Sequence, residues 1–199
     1  MPRRYQMAGR ERAVQETRQR IIDAAISLHA QRGVIATNWE EIAERAGVST
    51  ATVYRHFPSL SELVPACART AFEAGARLPT PGEAAAAFAG LTRPAQRMER
   101  LIRESCRCYE LGAGWLAAAR RDAKSVAALD HAVRLQDRVL GVLIQAALDD
   151  TPVGGQTVHV IKALIDFPFW KALTDAGVAA EKVPRVINDL VRSRLQKRR

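Results

Sequence analysis

The sequence predicts an all-α protein made of a compact N-terminal helical head followed by a longer helical region. Three observations carry this. Apolar residues recur at i, i+3 and i+4 spacing through most of the chain, N-cap residues and Gly or Pro stops mark off helix-sized segments, and the alternation expected of half-buried strands is nearly absent. No internal repeat of about 20 to 50 residues is evident.

The first helix is predicted over about Gln15 to Gln31, because Ile21, Ile22, Ala25, Ile26, Leu28 and His29 form one stripe and Arg32-Gly33 follows as a stop. Val34 re-enters the core. Asn38 and Glu41 have the spacing of a capping box ahead of Ile42, Ala43 and Ala46, and Gly47 ends this second helix after two turns. Ser49 is placed to accept a free N–H of a third helix that reaches about Phe57, where Pro58 stops it. Ser59 with Glu62 repeats the capping-box spacing and opens a fourth helix toward Ala76, and Leu78-Pro79-Thr80-Pro81-Gly82 breaks it.

The domain boundary is set at this breaker, with residues 1–14 a basic N-terminal arm, 15–77 the head and 78–199 the second region. The Ala-rich stretch 84–90 fits either helix or loop. Helical segments then follow at about Pro94 to Leu111, Ala113 to Lys124, Val126 to Asp149, Gln156 to Ala176 with a kink at Pro168, and Ala180 to Gln196.

Composition narrows the function classes. A 199-residue chain that is 48% hydrophobic can bury a core, and it holds no run approaching the roughly 20 apolar residues that span a bilayer. Met1 to Arg20 is polar and charged where a signal peptide needs an apolar stretch, so the reading is cytoplasmic, with no membrane partner. Cys67, Cys106 and Cys108 are odd in number and read as reduced, buried thiols. The net charge of +9 resides at the ends: residues 1–20 contribute +4, residues 192–199 contribute +5, and the 19 basic and 19 acidic side chains between them cancel. Two flexible basic termini are either contacts for a polyanion or merely solvated tails, and position must decide.

The stretch Thr37 to Leu63, TNWEEIAERAGVSTATVYRHFPSLSEL, decides it. Two helices of about two turns joined by a glycine-containing turn bury little by themselves, so the pair makes sense as a helix-turn-helix held on a scaffold. In that motif the second helix enters the major groove, while the N-terminus of the first, here Asn38 and Trp39, faces phosphate. Val53 and Phe57, four apart, are predicted to face inward. Thr50, Ala51, Thr52, Tyr54, Arg55 and His56 then face solvent behind the Ser49 cap, with direct base reading falling to Thr50, Ala51 and Arg55. Arg3, Arg4, Arg10 and Arg12 precede the first helix, where an arm lies along or inside a minor groove.

The run IAERAGVSTATVYRHFPSLSELV resembles the signature of the TetR family of transcriptional regulators, and the likeness extends over Thr17 to Ala76 through the Ile-Ile-Asp-Ala-Ala of the first helix. It implies an all-helical homodimer with an N-terminal three-helix helix-turn-helix domain and a C-terminal helical ligand-binding and dimerisation domain. It further implies that a small molecule releases the protein from a palindromic operator. In the family, the positions of Tyr54 and His56 contact phosphates, and those of Thr50, Ala51, Thr52 and Arg55 face the groove. This sequence departs from the pattern at Leu60, where a lysine is common, at Trp39, where a small or β-branched residue is common, and in the acidic pair Glu40-Glu41. Residues 21–60 carry a net −1, so the attraction for DNA falls to the arginine-rich leader.

Other signals weigh less. The four histidines show no metal-ligand spacing, and no phosphate loop, GxSxG elbow or HExxH helix is present, so no metal, cofactor or enzymatic activity is expected. Tyr109, Trp115, Phe167, Phe169 and Trp170 fit either the wall of an apolar effector pocket or ordinary core packing. Val158, Ile161, Leu164 and Ile165, together with Val183, Val186, Ile187, Leu190 and Val191, form two amphipathic faces. These fit either a four-helix dimer interface or burial within the monomer. The expected partners are therefore double-stranded DNA, a largely apolar small-molecule effector and a second copy of the chain. The rival readings are a sequence-tolerant architectural DNA-binding protein of the same fold and, behind it, an enzyme built on the C-terminal region.

Overall fold

The computed structural model describes the backbone over residues 3–71, 77–149 and 151–196, and side chains over the same spans apart from residues 3–8 and 71. All regular structure among the described residues is helical. The helices are α1 (Arg3–Arg32), α2 (Trp39–Ala46), α3 (Thr50–His56), α4 (Leu60–Ala71), α5 (Pro81–Ala86), α6 (Pro94–Asp122), α7 (Ala127–Leu148), α8 (Gly155–Ile165), α9 (Phe167–Asp175) and α10 (Val183–Gln196). A 3₁₀ turn, Ala180–Lys182, leads into α10.

The chain divides into two compact units, Met1–Ala76 with Gly114–Val133, and Arg77–Ala113 with Arg134–Arg199. In the first, Ile21, Ala25 and Leu28 of α1 are buried together with Ile42, Val53 and Leu63 of the three helices that follow and with Phe57 just after α3. The end of α6 belongs to this unit because of Gly114. A Cβ there would come within 2.8 Å of the Ala30 Cβ, so the missing side chain lets α6 press against α1. The α6 helix is continuous where two segments were expected, Pro94 to Leu111 and Ala113 to Lys124. Gly114 serves helix packing within it.

Three other expectations are corrected. The basic leader is no separate arm: α1 begins at Arg3, since residues 3–14 contain no proline and the Arg12 Nε donates to Glu16 Oε1 one turn later, at 2.9 Å. At the other end, Arg192 and Arg194 lie inside α10, and residues 197–199 fall outside the described residues. The expected kinked helix at Pro168 is two helices. Asp166 leaves helical geometry, with φ −66° and ψ 156°, and its carboxylate accepts the Phe167 N–H at 2.7 Å. Pro168, which has no N–H to give the preceding turn, then sits at the start of α9, where none is needed.

In the second unit, α8, α9 and α10 bury Ile161, Ile165, Phe167, Trp170, Val183, Ile187 and Val191. The stretch 84–90 resolves into the end of α5 followed by turns. Thr80 and Glu83 cap α5 reciprocally, and Gly90 takes φ +81° to close the turn. The thiols behave as the sequence predicts for buried cysteine. Desolvation pushes Cys67 and Cys106 up to about 12, so both stay protonated, while Cys108 is half-buried.

Candidate nucleic-acid interface

The site begins with the turn that leads into α2. Gly33 takes φ +97°, a conformation that side chains resist, and the Thr37 hydroxyl donates back to its carbonyl at 2.7 Å. The N–H groups of Val34 and Ile35 both donate to Asp122 Oδ2, at 2.7 and 3.3 Å. Burial pushes the Asp122 carboxyl up, but the hydrogen bonds from Arg121 and from the Ile35 and Val34 amides outweigh it and hold the group below its ordinary value. A carboxylate at the end of α6 therefore fixes the entry to the helix-turn-helix.

The α2 helix then starts and stops on local chemistry. Asn38 Oδ1 accepts the Glu41 N–H at 2.8 Å, and Glu41 Oε2 accepts the Asn38 N–H at 3.2 Å. Arg32 forms an ion pair with the same Glu41. The acidic pair at this helix start is thus partly spoken for: Glu41 is capped and neutralised, and Glu40 remains exposed. At the other end, Gly47 takes φ +65° and Arg20 Nη1 donates to the Ala46 carbonyl at 3.0 Å.

The third helix is only Thr50–His56, too short to persist alone, and its pose is imposed from below. Val53 and Phe57 are fully buried, as their spacing predicts, and the Arg18 guanidinium lies over the Phe57 ring at 4.5 Å. Ser49 Oγ accepts the Thr52 N–H at 3.2 Å and shares a hydrogen bond with the Thr52 hydroxyl at 2.9 Å. Two of the residues expected at DNA thus hold the helix start together. The expected capping box at Ser59 is not made, because its hydroxyl pairs with that of Ser61 at 2.6 Å.

What is left facing outward is a small surface of defined chemistry. Ala51 and Arg55, one turn apart, are exposed, and Tyr54 is 44% exposed. Thr50 and His56 are half-buried. The His56 imidazole is held below its ordinary value, first by burial and then by the charges of Arg55 and Arg18. Trp39, at the start of α2, packs on Tyr54 with ring centroids 5.2 Å apart. The structure therefore brings Asn38, Trp39 and Tyr54 to one edge, beside the Ala51 and Arg55 face. Arg3 and Arg4 lie in the first turn of α1, and their side chains fall outside the described residues.

Sequence reasoning missed Asp122, Arg18, Arg20 and Arg32. Asp122 acts across 88 residues of chain, where local spacing carries no information. A signal did exist, since a carboxylate in the last turn of a helix opposes the helix dipole and calls for another reason to be there.

The residues expected at an effector pocket are spread over both units. Tyr109, Phe167 and Trp170 form an aromatic cluster in the second, with centroids 5.6 to 6.1 Å apart, and Phe169 is half-buried on α9. Trp115 is buried in the first unit. A cleft of about 790 Å³ in the second unit is lined by none of the five. No helix among the described residues is long and apolar enough to cross a membrane.

Comparison with known proteins bears on this site directly. Residues 21–67, which run from mid-α1 into α4, match the family of bacterial regulatory proteins described as the tetR family. The HTH-type transcriptional repressor KstR of Mycolicibacterium smegmatis is 28% identical over 159 residues, covering 77% of this chain and 74% of KstR. The regulator AcrR of Shigella flexneri is 49% identical over 49 residues, 25% of this chain and 23% of AcrR. A TetR-family member of known structure from Streptomyces coelicolor is 26% identical with a TM-score of 0.63, covering 87% of this chain and 97% of its own. The buttressed third helix and its outward Ala51–Arg55 face lie inside the matched segment, so residues 21–67 are similar to bacterial regulatory proteins of the tetR family, and most of the chain is similar in fold to a TetR-family member.

Proposed function

We propose that the chain is a ligand-responsive repressor that binds a palindromic operator as a homodimer. The observation that carries the reading is the exposed Ala51 and Arg55 pair on a helix fixed from beneath by Val53 and Phe57. A methyl group and a guanidinium one turn apart suit a thymine methyl and the paired acceptors of guanine. Asn38, Trp39, Tyr54 and His56 flank that face and serve as phosphate contacts.

Two features of the second unit support the finer claims. Leu190 is 40% exposed on α10, while Val186 of α10 and Val158 and Leu164 of α8 are half-buried, so these helices keep apolar surface available to a second copy. The cleft gives an effector a place to bind, and an effector preferring one conformation shifts the population away from the operator-competent one.

The test is selection of binding sites from a randomised duplex pool by the purified chain, followed by mass measurement of the complex. An inverted repeat bound by two copies is expected. Arg55→Ala should weaken the selected site by about 1–3 kcal/mol without loss of helicity. Salt-dependent binding with no enriched sequence would instead mark an architectural protein.

A further inference from the structure

One glycine in the second unit has no conformational reason to be there. Gly141 lies in the interior of α7, where glycine destabilises a helix relative to alanine, and its φ lies outside the left-handed range. It allows no close approach either, since a Cβ built on it meets nothing within 4 Å. What its missing side chain does is open the cleft of about 790 Å³, within the range of about 300–1,000 Å³ typical of small-molecule sites.

The lining sets the ligand chemistry. One face of α7 presents Arg138, Gly141, Val142, Gln145 and Ala146 to the cleft, and Leu78, Pro81, Ala84 and Ala85 supply further apolar wall. The charges at its edge are unequal. Asp149 is taken, because its Oδ2 lies 2.8 Å from Arg97 Nη1. Arg97 is fixed in turn, donating from Nε to the Leu91 carbonyl at 2.8 Å. Arg138 has no ion-pair partner among the described residues. A cationic ligand would find its only carboxylate already neutralised, whereas an anion meets an uncommitted guanidinium beside an apolar wall.

We infer that this cleft, opened by Gly141, takes an amphipathic anion whose apolar body lies along α7 and whose charge meets Arg138. The inference rests on the ligand-responsive reading for its regulatory meaning, but binding can be tested without DNA. The probes are 1-anilinonaphthalene-8-sulfonate and its uncharged counterpart N-phenyl-1-naphthylamine, titrated by fluorescence into the full chain and its variants, with folding checked by circular dichroism.

Gly141→Leu fills the cleft and should weaken both probes by at least about tenfold while leaving the fold at least as helical. Arg138→Gln should weaken the sulfonate by about three- to tenfold and leave the neutral probe unchanged. Sulfonate affinity unmoved by Gly141→Leu overturns the site. Equal losses of both probes in Arg138→Gln, or none, overturn the anionic class. Separately, if the probe binds as expected and selected operator DNA stays bound at saturation, the ligand-response reading fails while the site stands.

Discussion

Removing the Asp122 carboxylate tests the idea that the end of α6 fixes the entry to the helix-turn-helix. In Asp122→Ala the Val34 N–H, on a residue 1% exposed, loses a 2.7 Å bond to a charged acceptor and finds no water, a loss of about 1.5–3 kcal/mol. The Ile35 bond is longer, at 3.3 Å, on an exposed residue that water can reach, and adds at most about 1 kcal/mol. The expected destabilisation is therefore about 2–4 kcal/mol at neutral pH, a large part of the roughly 5–15 kcal/mol of a typical domain. Asp122→Asn keeps an acceptor without the charge and should lose less. The sign of the pH dependence follows from the lowered folded value: the contribution is present above the unfolded carboxyl value of about 4 and is lost as pH falls through the folded one. Parent and Ala variant should thus converge in acid. Urea unfolding read by far-ultraviolet circular dichroism gives the energies, and amide exchange at Val34 and Ile35 gives the location. A neutral-pH change under about 0.5 kcal/mol with the Val34 amide still protected would refute the reasoning.

Three further outcomes are expected. His29 is fully buried with neither ring nitrogen hydrogen-bonded among the described residues, and burial, partly offset by the Asp122 charge, lowers it to about 4 from 6.5. The unfolded chain takes up that proton first as pH drops, so stability should fall by about 3 kcal/mol between pH 6.5 and 4. His29→Leu should flatten that slope and gain about 1 kcal/mol at neutral pH in urea titrations, and an unchanged slope counts against the assignment. Gly47→Ala should destabilise by about 1–2 kcal/mol through its φ of +65° alone, because the added methyl meets only Arg20 Nη1 at an ordinary 3.5 Å, and Gly47→Asn should recover part of it in thermal melts. Deleting residues 1–12 should reduce the salt dependence of DNA binding, and a slope equal to the parent's would remove the leader from the interface.

Much of the first unit was legible because its instructions are local. Asn38 with Glu41, Gly47, Ser49 and the Val53–Phe57 spacing act within one or two turns, and the helices start, stop and face as those residues dictate. Some misreadings have local causes, as at Asp166 and the Ser59–Ser61 pair, but others arise where neighbours distant in sequence override local signals. Two segments were expected on either side of Gly112, yet α6 runs through it, and Ala30 of α1 fills the space that Gly114 leaves two residues on. Asp122 pairs with the adjacent Arg121, but the amides it holds lie 87 and 88 residues away. Trp39 stood out as a departure from the family pattern, and its ring is used against Tyr54. Tyr109, Phe167 and Trp170 could be named but not arranged, since three aromatics on different helices stack or part according to tertiary packing.

The arrangement of α1 also limits what the basic leader can do for DNA. Counting charges in residues 1–20 gives +4, but several of those cations already have structural work. Arg18 lies over Phe57, Arg20 holds the α2 carbonyl end, and Arg12 is paired with Glu16. Of the six arginines, that leaves Arg10, exposed and without an ion-pair partner among the described residues, with Arg3 and Arg4 before it. Each phosphate contact changes the log–log salt slope by about 0.9, so phosphate contacts by Arg3, Arg4 and Arg10 would together account for a change of about 3. The motif between residues 21 and 60 carries a net −1 and supplies little attraction at a distance. On the proposed reading, sequence preference then falls to close contacts at Ala51 and Arg55. Because their helix is held by buried Val53 and Phe57 and by the Ser49 cap, weakening that support should loosen recognition before it loosens non-specific adhesion.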